Sequence, residues 1–410
     1  MDREIIYRFS SALLPNGEFL KDAAITCLDS QIINVEKFNP KSVASQENIC
    51  DLRELTAIPG LINAHTHLEY TDFLGQIDNT NDFIKWIKQI IILKNKTTYE
   101  QFIESSKKGI DLCVKSGTTT VVDIASTDAS IEPLMNAPIR KFICPEIISL
   151  DPKNAENIFN NFLKRIEKIK KDDLIQIGLS PHAPYTVSPD LYKLCTQYAR
   201  DNKTLLTTHL CETKEEIEFL AQDNSKMENF LREINALPNK WKSPKLSPIE
   251  YLYSNNILNK NSLLVHLNYP SDKDIEIVQK SGASVVYCPK SHKYFEHDKY
   301  PLIKLLNAGV NVCIGTDSLA SNDTLDILAE LRAIKQEFKE LNSKQILDLA
   351  TINSAIALNY KHKLGRIEKN YFCDLTLIRN RDNKDITIDA IVEDESITHD
   401  GIIIAGRFIS

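Results

Sequence analysis

Apolar residues along this chain follow two different periods. Near the start, short alternating runs such as Ile5-Ile6-Tyr7 and Ala24-Ile25-Thr26-Cys27 flank Pro15-Asn16-Gly17, the alternation and turn chemistry of β-hairpins. From Ala57 the pattern changes to buried-type apolar runs, each followed by a longer stretch of helical spacing. The runs 57–64, 118–124, 139–148, 174–180, 204–209, 262–267, 284–288 and 310–316 predict eight strands. Helices are predicted over 81–94, 99–115, 153–170, 189–202, 213–236, 271–281 and 300–308, with further ones over 323–338 and 343–359. Gly117, Gly282 and Gly309 stand just past three of them, where a left-handed cap is wanted.

After Leu364-Gly365-Arg366 short alternating runs return, as in Asp374-Leu375-Thr376-Leu377-Ile378 and Ile402-Ile403-Ile404. The expectation is an α/β fold: a (β/α)8 TIM-type barrel over 57–365, with both chain ends, 1–56 and 366–410, forming one small β-sandwich domain.

With 410 residues and 42% hydrophobic content, the chain has material for a large core and gives no sign of disorder. Net charge is −7, and neither half carries a basic stripe, which argues against nucleic acid as a partner. The charged start Met1-Asp2-Arg3-Glu4 does not read as a signal peptide, and runs such as Ile90-Ile91-Ile92-Leu93 are too short to span a bilayer. A soluble, cytoplasmic protein with no membrane partner is expected. Nine scattered cysteines without a Cys-x-x-Cys pair fit reduced core residues, with a catalytic thiol as the alternative. No oligomeric state follows from the sequence, and a homodimer stays open.

The chemistry gathers at strand ends. The run Pro59-Gly60-Leu61-Ile62-Asn63-Ala64-His65-Thr66-His67 is an apolar strand closing on His-x-His, and residues two apart on a strand face the same side. His182, His209 and His266 each lie at or just past another strand end, and Asp317 follows the run 310–316. Singly, each reads as a structural residue; together they occupy the rim where barrel enzymes carry their sites. Three imidazoles and a carboxylate suit a catalytic zinc or ferrous ion, which lowers the pKa of a water toward neutrality. Glu212, three residues past His209, is placed for general acid-base work, its plain alternative being a helix N-terminal carboxylate.

These motifs, with Ser180-Pro181-His182-Ala183-Pro184-Tyr185, His209-Leu210-Cys211-Glu212-Thr213 and Gly315-Thr316-Asp317-Ser318, resemble the amidohydrolase superfamily, in its nucleobase and adenosine-type deaminase and chlorohydrolase branch. The resemblance spans nearly the whole chain. It implies His65, His67, His209 and Asp317 as metal ligands, Glu212 as proton shuttle, His266 as the group polarising the attacked centre, and Asp317 as a second catalytic carboxylate. His182, Ser291, His292 and Ser318 would contact substrate. Relatives with two metals carry a bridging lysine at the end of strand four, where this chain has Ile177-Gly178-Leu179-Ser180-Pro181-His182, so the resemblance implies one divalent ion, zinc or ferrous iron.

The string Cys288-Pro289-Lys290-Ser291-His292-Lys293-Tyr294-Phe295 is similar to bacterial aminodeoxyfutalosine deaminases of the alternative menaquinone route. That implies a small-molecule partner, an adenine nucleoside bearing a carboxybenzoyl tail. Glu69 is then a candidate for a ribose hydroxyl or purine nitrogen, and Lys290 or Lys293 for the tail's carboxylate, with a salt bridge or solvated loop as the plain alternatives. Trp86 reads as core or as a wall for the purine. Deaminases of S-adenosylhomocysteine, methylthioadenosine or adenosine share the chemistry, guanine or triazine hydrolysis comes third, and an inactive metal-binding scaffold is the reading from another class.

Overall fold

In a computed structural model, residues 4–40, 48–78, 81–381 and 385–409 are described. The charged start, Met1–Arg3, lies outside them. Nine strands carry the site. They are β5 (Leu61–Thr66), β6 (Thr118–Ala125), β7 (Arg140–Ile147), β8 (Ile175–Ile177), β9 (Ser180–Pro181), β10 (Leu206–Leu210), β11 (Ser262–His266), β12 (Ser284–Tyr287) and β13 (Val312–Ile314).

All pair in parallel, β5-β6-β7-β8 with β9 beside β7, and β10-β11-β12-β13. Isolated parallel bridges, Leu179 to Leu206 and Thr66 to Asp317, join the two sheets at both edges, so the strand order returns to its start. Apart from Glu146, Gln176 and Ile177, which are half-buried, the residues of these strands are buried, as parallel strands covered on both faces are. Ile62, Val122, Val265 and Val286 share one interior cluster.

The ends of the chain build a second sheet. The strands β1 (Glu4–Leu13), β2 (Phe19–Leu28), β3 (Gln31–Lys37), β4 (Ile49–Pro59), β14 (Leu375–Asn380), β15 (Ile397–Ile404) and β16 (Arg407–Ile409) form one seven-stranded sheet in the order β16-β15-β14-β4-β1-β2-β3. The Pro15-Asn16-Gly17 turn joins the β1–β2 hairpin, and the β2–β3 turn has Asp29 at φ 52°, the left-handed conformation that a glycine would otherwise supply.

Several expected elements break where the backbone needs to turn. The apolar run 57–64 divides at Gly60: residues up to Pro59 finish β4 in the end sheet, and Leu61 opens β5. A Cβ on Gly60 would lie 2.8 Å from the Asp374 carbonyl oxygen, so the two sheets can approach only over glycine. The run 174–180 breaks at Gly178 into β8 and β9. Helical spacing over 213–236 covers two helices, Lys214–Ala221 and Lys226–Glu233, because Ser225 accepts from the Glu228 amide and caps a new start. The segment 343–359 likewise divides at Thr351. Helices α1 (Phe83–Lys96) and α2 (Tyr99–Lys115) lie close to expectation, α2 opening on a capping box between Thr98 and Gln101. Short helices over Ile131–Asn136, Pro248–Ser254, Pro289–Tyr294 and Ile388–Glu393 carry too few turns to show a period.

No helix among the described residues is long and apolar enough to cross a membrane. All nine cysteines are free, and eight of them are buried.

Candidate active site

The C-terminal ends of the parallel strands bring the ionisable residues together. His65 lies near the end of β5, His67 just beyond it, His209 in β10, and His266 ends β11. Asp317 reaches the same place from beyond β13, held by the Thr66 bridge and by its own amide donating to the His65 carbonyl at 3.1 Å. A Cβ on Gly315 would lie 2.7 Å from that carbonyl oxygen, which explains a glycine at this crossing. Cys211, His266, Leu267 and Asp317 all take positive φ, between 51° and 75°. Left-handed backbone in bulky residues is strain of the kind found at functional sites.

His65 Nε2 and His67 Nε2 stand 3.5 and 3.7 Å from Asp317 Oδ1. The ring of His65 is 5.0 Å from that of His209 and 5.9 Å from that of His266. Two triads have donor atoms within 4.8 Å of one another, His65-His67-Asp317 and His65-His209-His266. Both nitrogens of His65, Nδ1 of His67 and Nε2 of His266 are buried without a hydrogen-bond partner. Buried imidazole nitrogens without a partner carry a desolvation cost that an ion would offset, so this donor set fits a divalent cation.

Electrostatics separate the roles. Burial and neighbouring His65 push His67 down to about 3, and burial takes His266 to about 3 as well, so both are neutral near pH 7. Burial would raise Asp317, but His65, His266 and His67 outweigh it and keep the carboxyl well below its ordinary range. Glu212 goes the other way: burial, Asp317 and Glu216 push it well above the usual carboxyl value. Its Oε1 lies 3.6 Å from His266 Nε2. The two carboxylates are thus tuned apart, the pattern of an acid-base pair with distinct tasks.

Some expected contacts prove to be supports. Ser291 donates to Asp317 Oδ2 at 2.8 Å, and Ser321 donates to the same oxygen at 2.7 Å, which leaves Oδ1 toward the histidines. Ser291 therefore positions a carboxylate, and its hydroxyl is occupied. Glu69 is fully buried, its oxygens accepting the amides of Thr127 and Ser130 at 2.7 and 3.2 Å, so it holds the turn after β6 and does not face the cavity. His292 packs among Tyr287, His297 and Tyr300, away from the cavity. Lys290 pairs with Asp323 at 2.6 Å and, with Lys293, lines a separate outer groove of about 700 Å³.

His182 and Ser318 do line the site, with His182 Nδ1 2.7 Å from the Thr186 hydroxyl. The cavity above the histidines, about 260 Å³, is walled by Phe83, Trp86, Ile90 and Ile91 of α1 and by Phe230 and Leu231 of the helix Lys226–Glu233. Trp86 serves as both core and wall: it stacks on Phe83 and donates to the Ala320 carbonyl at 3.2 Å.

Other residues at the site carry no motif. Glu216 accepts the Cys211 and Glu212 amides at 3.0 and 2.9 Å, and Asn268 donates to the Glu212 carbonyl at 2.9 Å, fixing the backbone at Glu212. The Tyr300 hydroxyl donates to the His266 carbonyl at 2.9 Å. Lys94 and Glu146 also line the cavity. Helical spacing does place Lys94 on the Ile87-Ile90-Ile91 face of α1, which was the available signal; Glu146, inside an apolar run, gave none but its charge.

A model of the amidohydrolase family matches residues 56–409. A 5-methylthioadenosine/S-adenosylhomocysteine deaminase of Pyrococcus abyssi is 29% identical over 344 residues, 81% of this chain and 76% of that protein. The Pyrococcus furiosus protein of the same name is 29% identical over 390 residues, 90% and 86% of the two chains. Among solved structures, Helicobacter pylori aminofutalosine deaminase in complex with methylthio-coformycin superposes with a TM-score of 0.85 at 23% identity, covering 99% of this chain and 100% of that one. A zinc-bound adenosine deaminase from Xanthomonas campestris gives 0.83 at 21% identity, over 98% and 92%. These two likenesses are likenesses of fold.

Proposed function

The chain belongs to the amidohydrolase family, hydrolases of carbon–nitrogen bonds, and from that premise we propose that it is a metal-dependent deaminase acting on the 6-amino group of an adenine nucleoside. The observation that carries this reading is Glu212, its carboxyl raised by burial and standing 3.6 Å from His266 at the rim of the histidine–Asp317 cluster. A scaffold that only held a metal would have no use for that pair.

In this reading His65, His67, His209 and Asp317 hold one divalent ion, zinc or ferrous iron, which when bound would lower the pKa of a water toward neutrality. Glu212 accepts a proton from the attacking water and passes it to the departing amine, the transfer for which a buried carboxyl beside His266 is placed. His266, kept neutral by burial, presents a ring nitrogen to the attacked carbon's neighbour, and His182 contacts the ring system. Ser318 lies at the cavity edge beside Asp317. The carbon gains oxygen from water and loses nitrogen as ammonia.

The finer fold belongs to the same proposal: a (β/α)8 barrel over 57–365, with 1–56 and 366–410 forming a small β domain, in which the described strands make one seven-stranded sheet where a sandwich of two was expected. Aminodeoxyfutalosine is the first substrate to test, and the names of the curated relatives favour methylthioadenosine and S-adenosylhomocysteine as a second. The test is ammonia release by metal-loaded protein over adenine nucleosides with and without an acidic tail. Absence of release from every aminopurine nucleoside, with metal bound stoichiometrically, overturns the reading.

A further inference from the structure

The two serines that brace Asp317 come from separate segments, and one buried residue that does not line the cavity holds both segments from behind. The helix Ile327–Glu337 carries Glu330 in its first turn, fully buried. Its Oε2 accepts the Lys290 amide at 2.9 Å, and its Oε1 accepts from Asn322 Nδ2 at 2.7 Å. Lys290 precedes Ser291 in the helix Pro289–Tyr294, whose N-cap, Cys288, offers no side-chain bond, so Glu330 satisfies a first-turn amide from outside.

Asn322 follows Ser321 and is buried too. Its Nδ2 also donates to the Thr316 carbonyl at 2.7 Å, and its Oδ1 accepts the Asp323 and Thr324 amides at 2.7 and 3.2 Å. Those two amides fix which end of the carboxamide is oxygen. The turn from Thr316 through Asp317 to Ser321 is thus closed on itself by Asn322, and Asn322 is anchored by Glu330. A second tie between the same segments runs along the surface, the Lys290–Asp323 pair at 2.6 Å with the aspartate 73% exposed. Such an exposed pair contributes little. In the interior two donors from two segments converge on one side chain, and a carboxyl offers an accepting oxygen to each.

We propose that Glu330 is a positioning residue for Asp317. By holding the Lys290 amide and the Asn322 carboxamide at once, it sets the Ser291 and Ser321 hydroxyls on Asp317 Oδ2 and so aims Oδ1 at His65 and His67, 3.5 and 3.7 Å away. The inference rests on the reading of Asp317 as a metal ligand. Glu330 touches neither the cavity nor the ligand atoms; it acts through its two neighbours. Glu330→Gln keeps the shape but turns an amide against one of the two donors, which releases one segment. Asn322→Ala releases the other end of the same tie.

The experiment measures zinc affinity of the full chain by competition with a chelator, and the visible absorption of the cobalt-substituted protein, for wild type, Glu330→Gln, Asn322→Ala and Asp323→Ala. Glu330→Gln and Asn322→Ala are expected to bind zinc about 10- to 100-fold more weakly, the usual effect of losing groups that orient a ligand, and to alter the cobalt bands. Asp323→Ala, which removes only the surface pair, is expected to do neither. Denaturant unfolding of the apo forms separates a structural role from a positioning one. Loss of stability in Glu330→Gln and Asn322→Ala with zinc affinity and cobalt bands as in wild type would overturn the proposal, and so would an equal loss of affinity in Asp323→Ala. Should Glu330→Gln fail to fold, Asn322→Ala carries the same expectation. Zinc affinity is read without substrate, so the outcomes stay distinct: wild type that binds zinc but releases no ammonia sinks the deaminase reading and leaves this one. Wild type that holds no zinc overturns both.

Discussion

At the scale of single residues, the site rests on carboxylates tuned in opposite directions. Asp317 is held ionised by histidines and two serine hydroxyls, whereas Glu212 is raised by burial and by its acidic neighbours. Glu212→Gln keeps the shape and the Glu216 bond to the main chain but cannot carry a proton. Deamination is expected to fall by about 10²- to 10⁴-fold with metal content unchanged, read by ammonia release beside metal analysis.

Glu330 offers a pH test away from the chemistry. Fully buried, it accepts from Asn322 Nδ2 and the Lys290 amide, and burial pushes its carboxyl from 4.5 up to about 8. The folded state therefore holds a proton that the unfolded chain has lost between those values. Its contribution to stability is full below 4.5 and declines as pH rises toward 8. Thermal unfolding midpoints between pH 6 and 9 should fall more steeply for wild type than for Glu330→Gln, and parallel slopes would refute the assignment.

At the scale of elements, the site depends on two segments meeting over Asp317. Ser291 comes from the helix Pro289–Tyr294 and Ser321 from the loop after β13, and their hydroxyls lie 3.1 Å apart on one carboxylate oxygen. Removing both, as Ser291→Ala with Ser321→Ala, frees Asp317 to rotate. Metal affinity should drop by about 10- to 100-fold, the usual effect of losing groups that orient a ligand, measured by competition with a chelator. Ser291 also shows why the sequence misassigned some residues. A serine in a strand-end motif looks the same whether it faces substrate or braces a ligand; only the position of Asp317 Oδ2 decides. The same holds for Glu69, whose neighbour relation to His67 is visible in sequence but whose two amide partners lie about sixty positions later.

Elements with strong periods were legible: the spacing over 99–115 and 189–202 matches the helices Tyr99–Lys115 and Pro189–Asn202. Breaks inside uniform apolar runs were not, because Gly60 and Gly178 interrupt strands for packing reasons set by distant chain. The His65-His67 convergence needed only strand geometry. Lys94 and Glu146 needed α1 to be laid across the strand ends.

At the scale of the molecule, the end sheet and the parallel strands are tied by a buried ion pair. Arg140, first residue of β7, donates to Asp374 Oδ2 at 2.7 Å and Oδ1 at 3.3 Å, both side chains at most 3% exposed. The Ala405 amide adds a third bond to the same carboxylate at 2.8 Å. A bidentate pair out of water contributes little net energy compared with an apolar pair of equal volume, yet breaking it leaves an uncompensated charge. Arg140→Met should therefore cost about 3–5 kcal/mol in denaturant unfolding. The double variant Arg140→Met with Asp374→Leu removes both charges and should recover a large part of that loss. The ion pair stands at the N-terminal end of β7 and Glu146 near its C-terminal end, so kcat of the folded variants should stay near wild type. A single variant that unfolds no more easily than wild type would show that water reaches the pair and that other contacts join the two sheets.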